Sequence, residues 1–520
     1  MTALKNTYYG DHRFPNGLII DADHNIQADA TNGLNFTDPI NGEVGMPALI
    51  NDRIQGKVQE QIIMAVDYST GISPATNMKV FTQADYDALG YPVKYWQDAI
   101  DLIPSDANYK VTINVANGLH YARPGTTGGN PALKAALILP QFKHSESQDM
   151  MNASINFVAA MADVETGIAV TVSAEGVTRT SGAWSEDELL DQFIIITSGA
   201  SSGADAIPVW KNSTSMAYLA KKFTALGAAV VSVVKPGATF MPQWDDGTAL
   251  NVGIYSRFIG LASIPIKFEG IAFGNADKPW NYWNALTGQS IWYTQCVAYG
   301  TQFIGTFESY SSASYSRIWM SSVVLHSIEG YSARSVFSMD GVSSVGGSGV
   351  VVLGSTSASA LIMLGDYYSG SVLRISNLVV RPSASFSKVL VGLYCGALFY
   401  PASSSSPCKI QGNGICTGIK IGHYRGEQSY VSNLASMRIQ DCAIAFDISG
   451  NTESLEALLP DSTGNTVGWK IEGGGRVVIK TPSQIAATTE MQIDGDSITY
   501  AALPAGTTFE GALGSSVIIT

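Results

Sequence analysis

Between about residues 255 and 480 one pattern returns at uneven intervals: a short run of alternating apolar residues, one small polar residue, then a second short apolar run. It is visible when IKFEGIAFGN, IWYTQCVAYG, LRISNLVVRP, CKIQGNGICTGIKIG and MRIQDCAIAFDISG are written under one another, with Gly270, Gln295, Asn377, Gly412 and Asp441 at the centre. Such a recurrence suits a solenoid in which two short strands meet at a tight corner in each coil, while loops of varying length close the remaining side. Continuous Val/Ile runs favour parallel strands buried on both faces. A β-sandwich with turns at similar intervals is the alternative that the spacing leaves open.

Composition bears on the same choice. The chain has 520 residues, more than one ordinary core supports, so either several domains or one long solenoid is expected. Hydrophobic residues make up 46%, charged residues only 14%, and 52 glycines supply turns. Thirty basic against 43 acidic residues leave a net charge of −13, which argues against nucleic acid, whose binding depends on neutralising phosphates, and against an anionic membrane surface. Residues 341–365 are long enough to cross a bilayer but are interrupted throughout by Ser and Gly, so they read as a pair of buried strands and not as a membrane insertion. The opening MTALKNTYYGDHRFPNG lacks the basic and apolar regions of a secretory signal, and synthesis and folding in a cytoplasm are expected. Cys296, Cys395, Cys408, Cys416 and Cys442 are odd in number and share no C-x-x-C spacing, which predicts buried free thiols.

Along the chain, residues 1–75 read as a separate N-terminal module, in which 54–71 is either a short helix or a strand leading into a turn. TQADYDALG (82–90) has Thr82 as N-cap, Asp85 three residues on and Gly90 as the stop. Next, Pro92 stands at a first-turn position, and Tyr95, Trp96, Ala99, Ile100, Leu102 and Ile103 share one helical face before Pro104. Val111, Ile113 and Val115 then alternate with Thr112 and Asn114 ahead of Asn117-Gly118, a half-buried strand and a turn. A helix in this place would cover the exposed first coil of a solenoid. Residues 76–254 are therefore assigned to a capping helix and the first part of the solenoid with insertions, 255–480 to its main body, and 481–520 to a small C-terminal β module.

WQDAIDLIP followed by VTINVANGLHY resembles the N-terminal cap and first strand of the pectate-lyase-like parallel β-helix proteins. WSEDELLDQFIIITSGASSGADAIPVWKNST (184–214) is similar to a module of bacteriophage tail spikes and other β-helical tail proteins; here Ser185 and Glu188 read as a capping box before a short helix, and Phe193 to Ile196 as a buried strand. Together these pieces cover about a tenth of the chain. The resemblance implies an all-β chain built on a single-stranded right-handed parallel β-helix. It further implies a homotrimer helped by the C-terminal piece, an N-terminal virion-attachment module contacting other tail or baseplate proteins, and a place in the virion tail after assembly in the host cytoplasm.

Chemistry is harder to read. The six His are scattered, no HExxH or Asp-rich calcium loop occurs, and neither GNGICTG nor GGSGVV carries a phosphate-loop lysine, so no metal or cofactor is expected. No G-x-S-x-G elbow marks an acyl-transfer nucleophile. Glycoside hydrolysis needs only two carboxylates flanking one bond, contributed from any two coils. The stretch Trp244 to Glu308 holds Asp245, Asp246, Glu269, Asp277 and Glu308 as catalytic candidates among Trp280, Tyr282, Trp283, Trp292 and Tyr293, whose rings could stack on sugars. Equally, those rings could pack over a loop and the acids be solvated turn residues. The clustered Asp with nearby Arg of pectate lyases is absent. Three functions follow in order: a tail spike, tail fibre or baseplate-associated protein that binds host surface glycans; a polysaccharide depolymerase on the same scaffold; and a free bacterial carbohydrate-active β-helix protein.

Overall fold

The computed structural model describes residues 26–29, 33–38, 42–45 and 59–519 apart from 105–108, 128–133, 140–154, 251, 257–265, 285–292, 328–334, 355–357, 366–369, 402–407, 423–428, 432–436, 450, 456–461, 480–486 and 499–507, with backbone alone in parts of several strands. There are two compact units, Met1–Gln59 and Glu60–Thr520. The first holds a three-stranded antiparallel sheet of Ile26–Asp29, Gly33–Asp38 and Gly42–Gly45, in which Ile26 faces Phe36 and Phe36 faces Val44.

The second unit is strand almost throughout, with two short helices among the described residues. Residues 59–66 form a strand, not a helix, and the turn after it is closed by Asp67. Its carboxylate accepts hydrogen bonds from the hydroxyls and amides of Thr70 and Ser69, which pull its pKa down to about 2. Helix α1, Gln83–Asp87, has the expected cap: Asp85 N–H donates to Thr82 Oγ1 at 3.2 Å and Thr82 N–H to the Asp85 carboxylate at 2.8 Å. Gly90 follows at φ +69°.

Helix α2, Trp96–Leu102, begins four residues after Pro92 and not at it. Pro92 lies in the extended segment before it, where its carbonyl accepts Ile72 N–H at 3.0 Å, while the Asp98 carboxylate takes Tyr95 N–H at 3.3 Å. All six residues expected on the apolar face are buried. Gln97, on the same helix, donates to Ile138 O at 3.1 Å and accepts Ile138 N–H at 2.7 Å. The side chain amide thus pairs with strand Ala135–Leu139 as a neighbouring strand would, which removes an exposed edge.

Three parallel ladders make up most of the rest. In one, Ile113, Phe157, Phe268 and Ala298 are successive partners, and further along Ile318, Val345, Leu373, Phe399 and Val431 are. In the second, His120, Phe240, Phe273 and Phe303 follow one another, as do Val324, Val351, Val379, Lys409 and Arg438. In the third, Phe307, Phe337, Ile362, Val391, Ile419, Phe446, Trp469 and Met491 form an unbroken row. Side chains alternate across each strand, so these rows stack like on like, and their inward members merge into one large apolar core. Residues 341–365 contribute to two strands of it, as expected. The third ladder runs past residue 480 to Ile493, after which Ala487–Ile493 pairs antiparallel with Asp496–Ile498, and Thr508–Glu510 with Ser516–Ile519.

At the corners between ladders, Gly270, Asn377 and Asp441 have φ of +65°, +52° and +54°, which turns the chain from one ladder into the next within one residue. Asn and Asp tolerate this left-handed conformation better than other side chains do. Cys395, Cys408, Cys416 and Cys442 are buried and form no disulfide, and burial pushes the Cys408 thiol up to about 12; the Cys296 side chain lies outside the described residues. Ile439 is fully buried, whereas Ile444 is only half-buried.

The parallel ladders do not account for everything. Residues 161–236 form a closed six-stranded antiparallel barrel, inserted between rungs Ile155–Ala159 and Ala238–Trp244. Val170, Val172, Val177, Ile194, Ile196, Val209, Leu219, Val231 and Val233 fill it. The chain leaves and re-enters the ladders at one neck, where Gly237 N–H donates to Ala160 O at 3.1 Å. A Cβ on Gly237 would lie 2.3 Å from that carbonyl and 2.4 Å from Asn117 Oδ1, so only glycine fits. The barrel also corrects the reading of 184–214. Residues 186–191 are turns and not a helix, because Asp187 and Asp191 take φ of +57° and +68°. Glu188 still accepts Ser185 N–H at 2.6 Å, and Phe193–Gly199 is a strand.

No helix among the described residues is long and apolar enough to cross a membrane, and no cluster of His, Cys, Asp or Glu among them could hold a metal ion.

Candidate functional site

The site begins where the barrel rests on the second ladder. Along strands 323–326, 350–354 and Val379–Pro382, residues Val323, Leu325, Val350, Val352 and Val380 point into the main core, so Val324, Val351, Leu353 and Val379 point the other way. Barrel residues Phe193, Ala206, Trp210, Ala220 and Val234 pack on them. The apolar column ends in cations: Lys409 and Arg438 continue the Val324–Val351–Val379 row, and Arg381 lies beside Leu353.

Acids of the barrel meet these cations one by one. Arg381 donates two bonds to the Asp187 carboxylate, at 2.9 and 2.7 Å, and a third to Trp210 O at 3.1 Å. Glu175 Oε1 takes both Lys409 at 3.1 Å and Arg438 at 3.0 Å. Burial raises the Glu175 pKa, but the two cations outweigh it and the net shift is downward. His326 Nδ1 lies 2.5 Å from Asp191 Oδ2.

Burial pulls the His326 pKa down, but the Asp191 charge and hydrogen bond prevail and raise it above the usual 6.5. A pKa raised by folding stabilises the folded state fully below the unfolded value and ceases to do so as pH rises through the folded value. Hydrogen exchange in strand Phe193–Gly199, corrected for intrinsic rate, is therefore expected to show weaker barrel protection at pH 8.5 than at pH 6, with the difference abolished in His326→Gln. Equal pH dependence in wild type and variant would refute a role for this pair.

Beside this seam, Glu269 and Tyr299 are direct partners in the first ladder. Tyr299 Oη donates to barrel residue Asp205 at 3.3 Å, Asp205 pairs with Lys221 at 3.2 Å, and Lys267 pairs with Glu269 at 2.6 Å. Burial, then Asp205, with a smaller part from Glu269, push the Tyr299 hydroxyl up to about 12. Two carboxylates thus flank one phenol at a half-open surface, with side chains of Asp205 and Glu269 62% and 33% exposed.

Near α2, a second polar group forms around Asp245. Its carboxylate accepts the hydroxyls of Tyr95 and, at 3.4 Å, Tyr68, and lies 3.4 Å from Lys94 Nζ. Burial, the bond to Asp245 and its charge raise the Tyr95 pKa. Lys94 sits 5.1 and 5.0 Å from the Tyr68 and Tyr95 ring centres, and Tyr121 packs 4.9 Å from Tyr68. A carboxylate, an ammonium and partly exposed rings are the groups that recognise sugar hydroxyls and faces, though here they also satisfy one another.

Among the described residues, the candidates from Trp244 to Glu308 do not come together in one site. Asp246 closes its own turn by accepting Thr248 N–H at 2.9 Å. Asp277 is exposed in a turn. Glu308 is a strand residue opposite Asn284 and Ser338, its side chain outside the described residues. Trp280 is 2% exposed, reaches Phe240 O with Nε1 at 3.4 Å and stacks on Phe240, so it is a core residue and not a sugar platform. Tyr282, Trp283 and Tyr293 are placed by backbone alone, and Trp292 lies outside the described residues. Asp205, Lys221, Tyr299, Tyr68, Tyr95 and Lys94 escape sequence reasoning because most of their contacts join segments far apart in the chain, 94 residues for Tyr299 and Asp205 and 177 for Tyr68 and Asp245, which no spacing encodes. One signal is present: only Ala-Glu separates Met161–Ser173 from Gly176–Arg179, the spacing of an antiparallel hairpin and too short for a parallel crossover.

No family model matches the chain, and no curated protein matches it either.

Proposed function

We propose that the chain is a bacteriophage tail protein, a tail spike, tail fibre or baseplate-associated component, that binds glycans of the host surface. In this reading the three ladders wind as one single-stranded right-handed parallel β-helix, capped by α2, since parallel crossovers between paired strands are overwhelmingly right-handed. The first compact unit serves attachment to the virion, and three chains associate.

The observation that carries the reading is the inserted barrel. A long parallel scaffold with a separate antiparallel unit seated on its flank by paired charges gives a wide, rigid surface bearing half-exposed carboxylates, lysines and tyrosines. Extended polymers are held well by such surfaces, because many weak contacts add without ordering cost in the protein. The resemblance of 184–214 to tail-protein modules falls within this barrel.

Light scattering on the purified chain, an unboiled denaturing gel and binding assays against purified surface polysaccharides test it. A detergent-resistant trimer that retains a polysaccharide is expected; a monomer that retains none would overturn the reading. A depolymerase is the second reading, favoured by the Asp205 and Glu269 carboxylates about Tyr299. Release of new reducing ends is then expected, lowered at least about a hundredfold in both Asp205→Asn and Glu269→Gln, the scale on which lost acid–base groups act; no release from any bound polysaccharide would remove it.

A further inference from the structure

Two of the buried cysteines stand one coil apart. Cys416 precedes strand Thr417–Ile421 and Cys442 precedes strand Ile444–Ile448, and these strands are successive rungs of the third ladder, with Thr417 opposite Ile444. The backbone of Cys416 meets the next coil directly, its carbonyl accepting Ala443 N–H at 2.8 Å. Both side chains are 0% exposed and belong to the main core, and a Cβ added to Gly418, two residues after Cys416, would lie 3.3 Å from Cys442 Sγ. Neighbouring rungs lie about 4.8 Å apart and a disulfide requires Cα atoms about 4.4–6.8 Å apart, so one rung spacing suits a disulfide with little backbone movement.

The two thiols are chemically unequal. Hydrogen bonding from the Cys442 thiol, helped by backbone groups at Asn413 and Cys416, holds the Cys416 pKa below its ordinary value although burial opposes this. The same contact, together with burial, pushes the Cys442 thiol up, so the thiolate forms on Cys416. The thiolate is the attacking form of cysteine. Cys408, by contrast, donates its S–H to Ile375 O at 3.2 Å, and burial keeps it protonated.

A turn covers the pair. Gly412 lies so close that a Cβ there would be 2.8 Å from Cys442 Sγ, while Gly414, at φ +87°, and Ile415, 51% exposed, face solvent. The Asn413 side-chain amide holds this turn down, donating to Ser383 O at 2.9 Å and Phe386 O at 2.7 Å. Lifting the turn breaks those bonds and leaves the ladder hydrogen bonds of both strands in place.

We infer that Cys416 and Cys442 form a latent disulfide, a covalent staple between successive coils that closes when the chain meets a small-molecule disulfide. The Cys416 thiolate attacks one sulfur of the oxidant and releases half of it as a thiolate; Cys442, its proton passing to that thiolate, then attacks the Cys416 sulfur and releases the other half. Two protein thiols and one small disulfide become one protein disulfide and two small thiols. A reducing cytoplasm keeps the pair open during folding, and an oxidising exterior allows it to close. That timing rests on the virion reading above; the bond itself does not.

Incubation of the reduced full chain with oxidised glutathione, followed by alkylation of the remaining thiols and peptide mapping, tests it. A Cys416–Cys442 cross-link is expected, with no glutathione retained and Cys408 still reduced. Amide exchange in Thr417–Ile421 and Ile444–Ile448 should then slow at least about tenfold, as expected when a cross-link holds neighbouring strands together, and return to its former rate on adding reductant. Cys442→Ala, which keeps an apolar side chain in the core, should show neither effect. Repeating the reaction in urea below the unfolding transition removes slow entry of the oxidant as an obstacle. Thiols that stay reduced there, a glutathione adduct left standing on Cys416, or a cross-link that leaves exchange unchanged overturns the inference. A cross-link in a chain that proves monomeric and retains no polysaccharide supports the staple and overturns the virion reading alone.

Discussion

Ile439→Asp is expected to yield no soluble folded chain, while Ile444→Asp, five residues on, remains soluble. Ile439 is 0% exposed, sits opposite Ile410 in the second ladder and presses toward the space above Gly418, where its Cγ2 would lie 3.0 Å from an added Cβ. Its backbone is held as tightly: its N–H donates to Ser462 Oγ at 3.2 Å and its carbonyl accepts Asn465 Nδ2 at 3.0 Å. An aspartate there would bury an unpaired charge among apolar groups, at a cost of several kcal/mol, a large share of the whole stability of an ordinary domain. Ile444 is half-buried between Thr417 and Val467, so a charge at its position keeps access to water. Soluble yield and circular dichroism of the two variants provide the test. A folded Ile439→Asp protein would mean that this rung does not face the core.

Trp96→Ala carries the next largest effect, a loss of about 3–5 kcal/mol, the usual range for emptying a large aromatic site. Trp96 is 1% exposed and joins α2 to the first rungs: it stacks on Phe157 at 4.7 Å and 17°, and meets Phe240 at 4.5 Å, Phe268 at 6.2 Å and Phe273 at 6.3 Å. Its removal opens a cavity between α2 and the first rungs. Exchange protection should therefore fall first in Tyr109–Val115 and Gly118–Ala122, with the third ladder near Trp469 unaffected. Trp96→Phe keeps most of the ring contact and also removes an indole N–H that is buried without a partner, so its loss should be clearly smaller. Uniform loss of protection along the whole chain in Trp96→Ala would show that α2 is not a local cap.

Much of both expectations is legible in the amino-acid sequence, except that Ile444 reads there as a core residue like Ile439, and only the structure leaves it half-buried. Short strands around Gly270, Asn377 and Asp441, the helix carrying Trp96 and the cap at Thr82 follow from local chemistry: alternation sets which side chains share a face, and a left-handed corner calls for Gly, Asn or Asp. Pro92 points to too early a start for α2, because a proline compatible with a first turn is equally at home in the extended segment before it. At 186–191, residues whose pattern fits a helix form turns, because Asp187 and Asp191 are held by Arg381 and His326 from strands more than a hundred residues away.

The barrel and the seam belong to that second kind of information. Residues 161–236 carry ordinary strand and hairpin signals, but nothing in them states that six strands close on themselves or which ladder face they cover. Trp280 shows the same limit: an aromatic cluster reads alike whether it stacks on a sugar or fills a core, and only burial against Phe240 decides. The sequence by itself determined strand content, the corners and helix α2, since each depends on neighbours within a few residues. Tertiary structure alone decided which charges meet, because Glu175 finds Arg438 across 263 residues of chain and no local rule reaches so far.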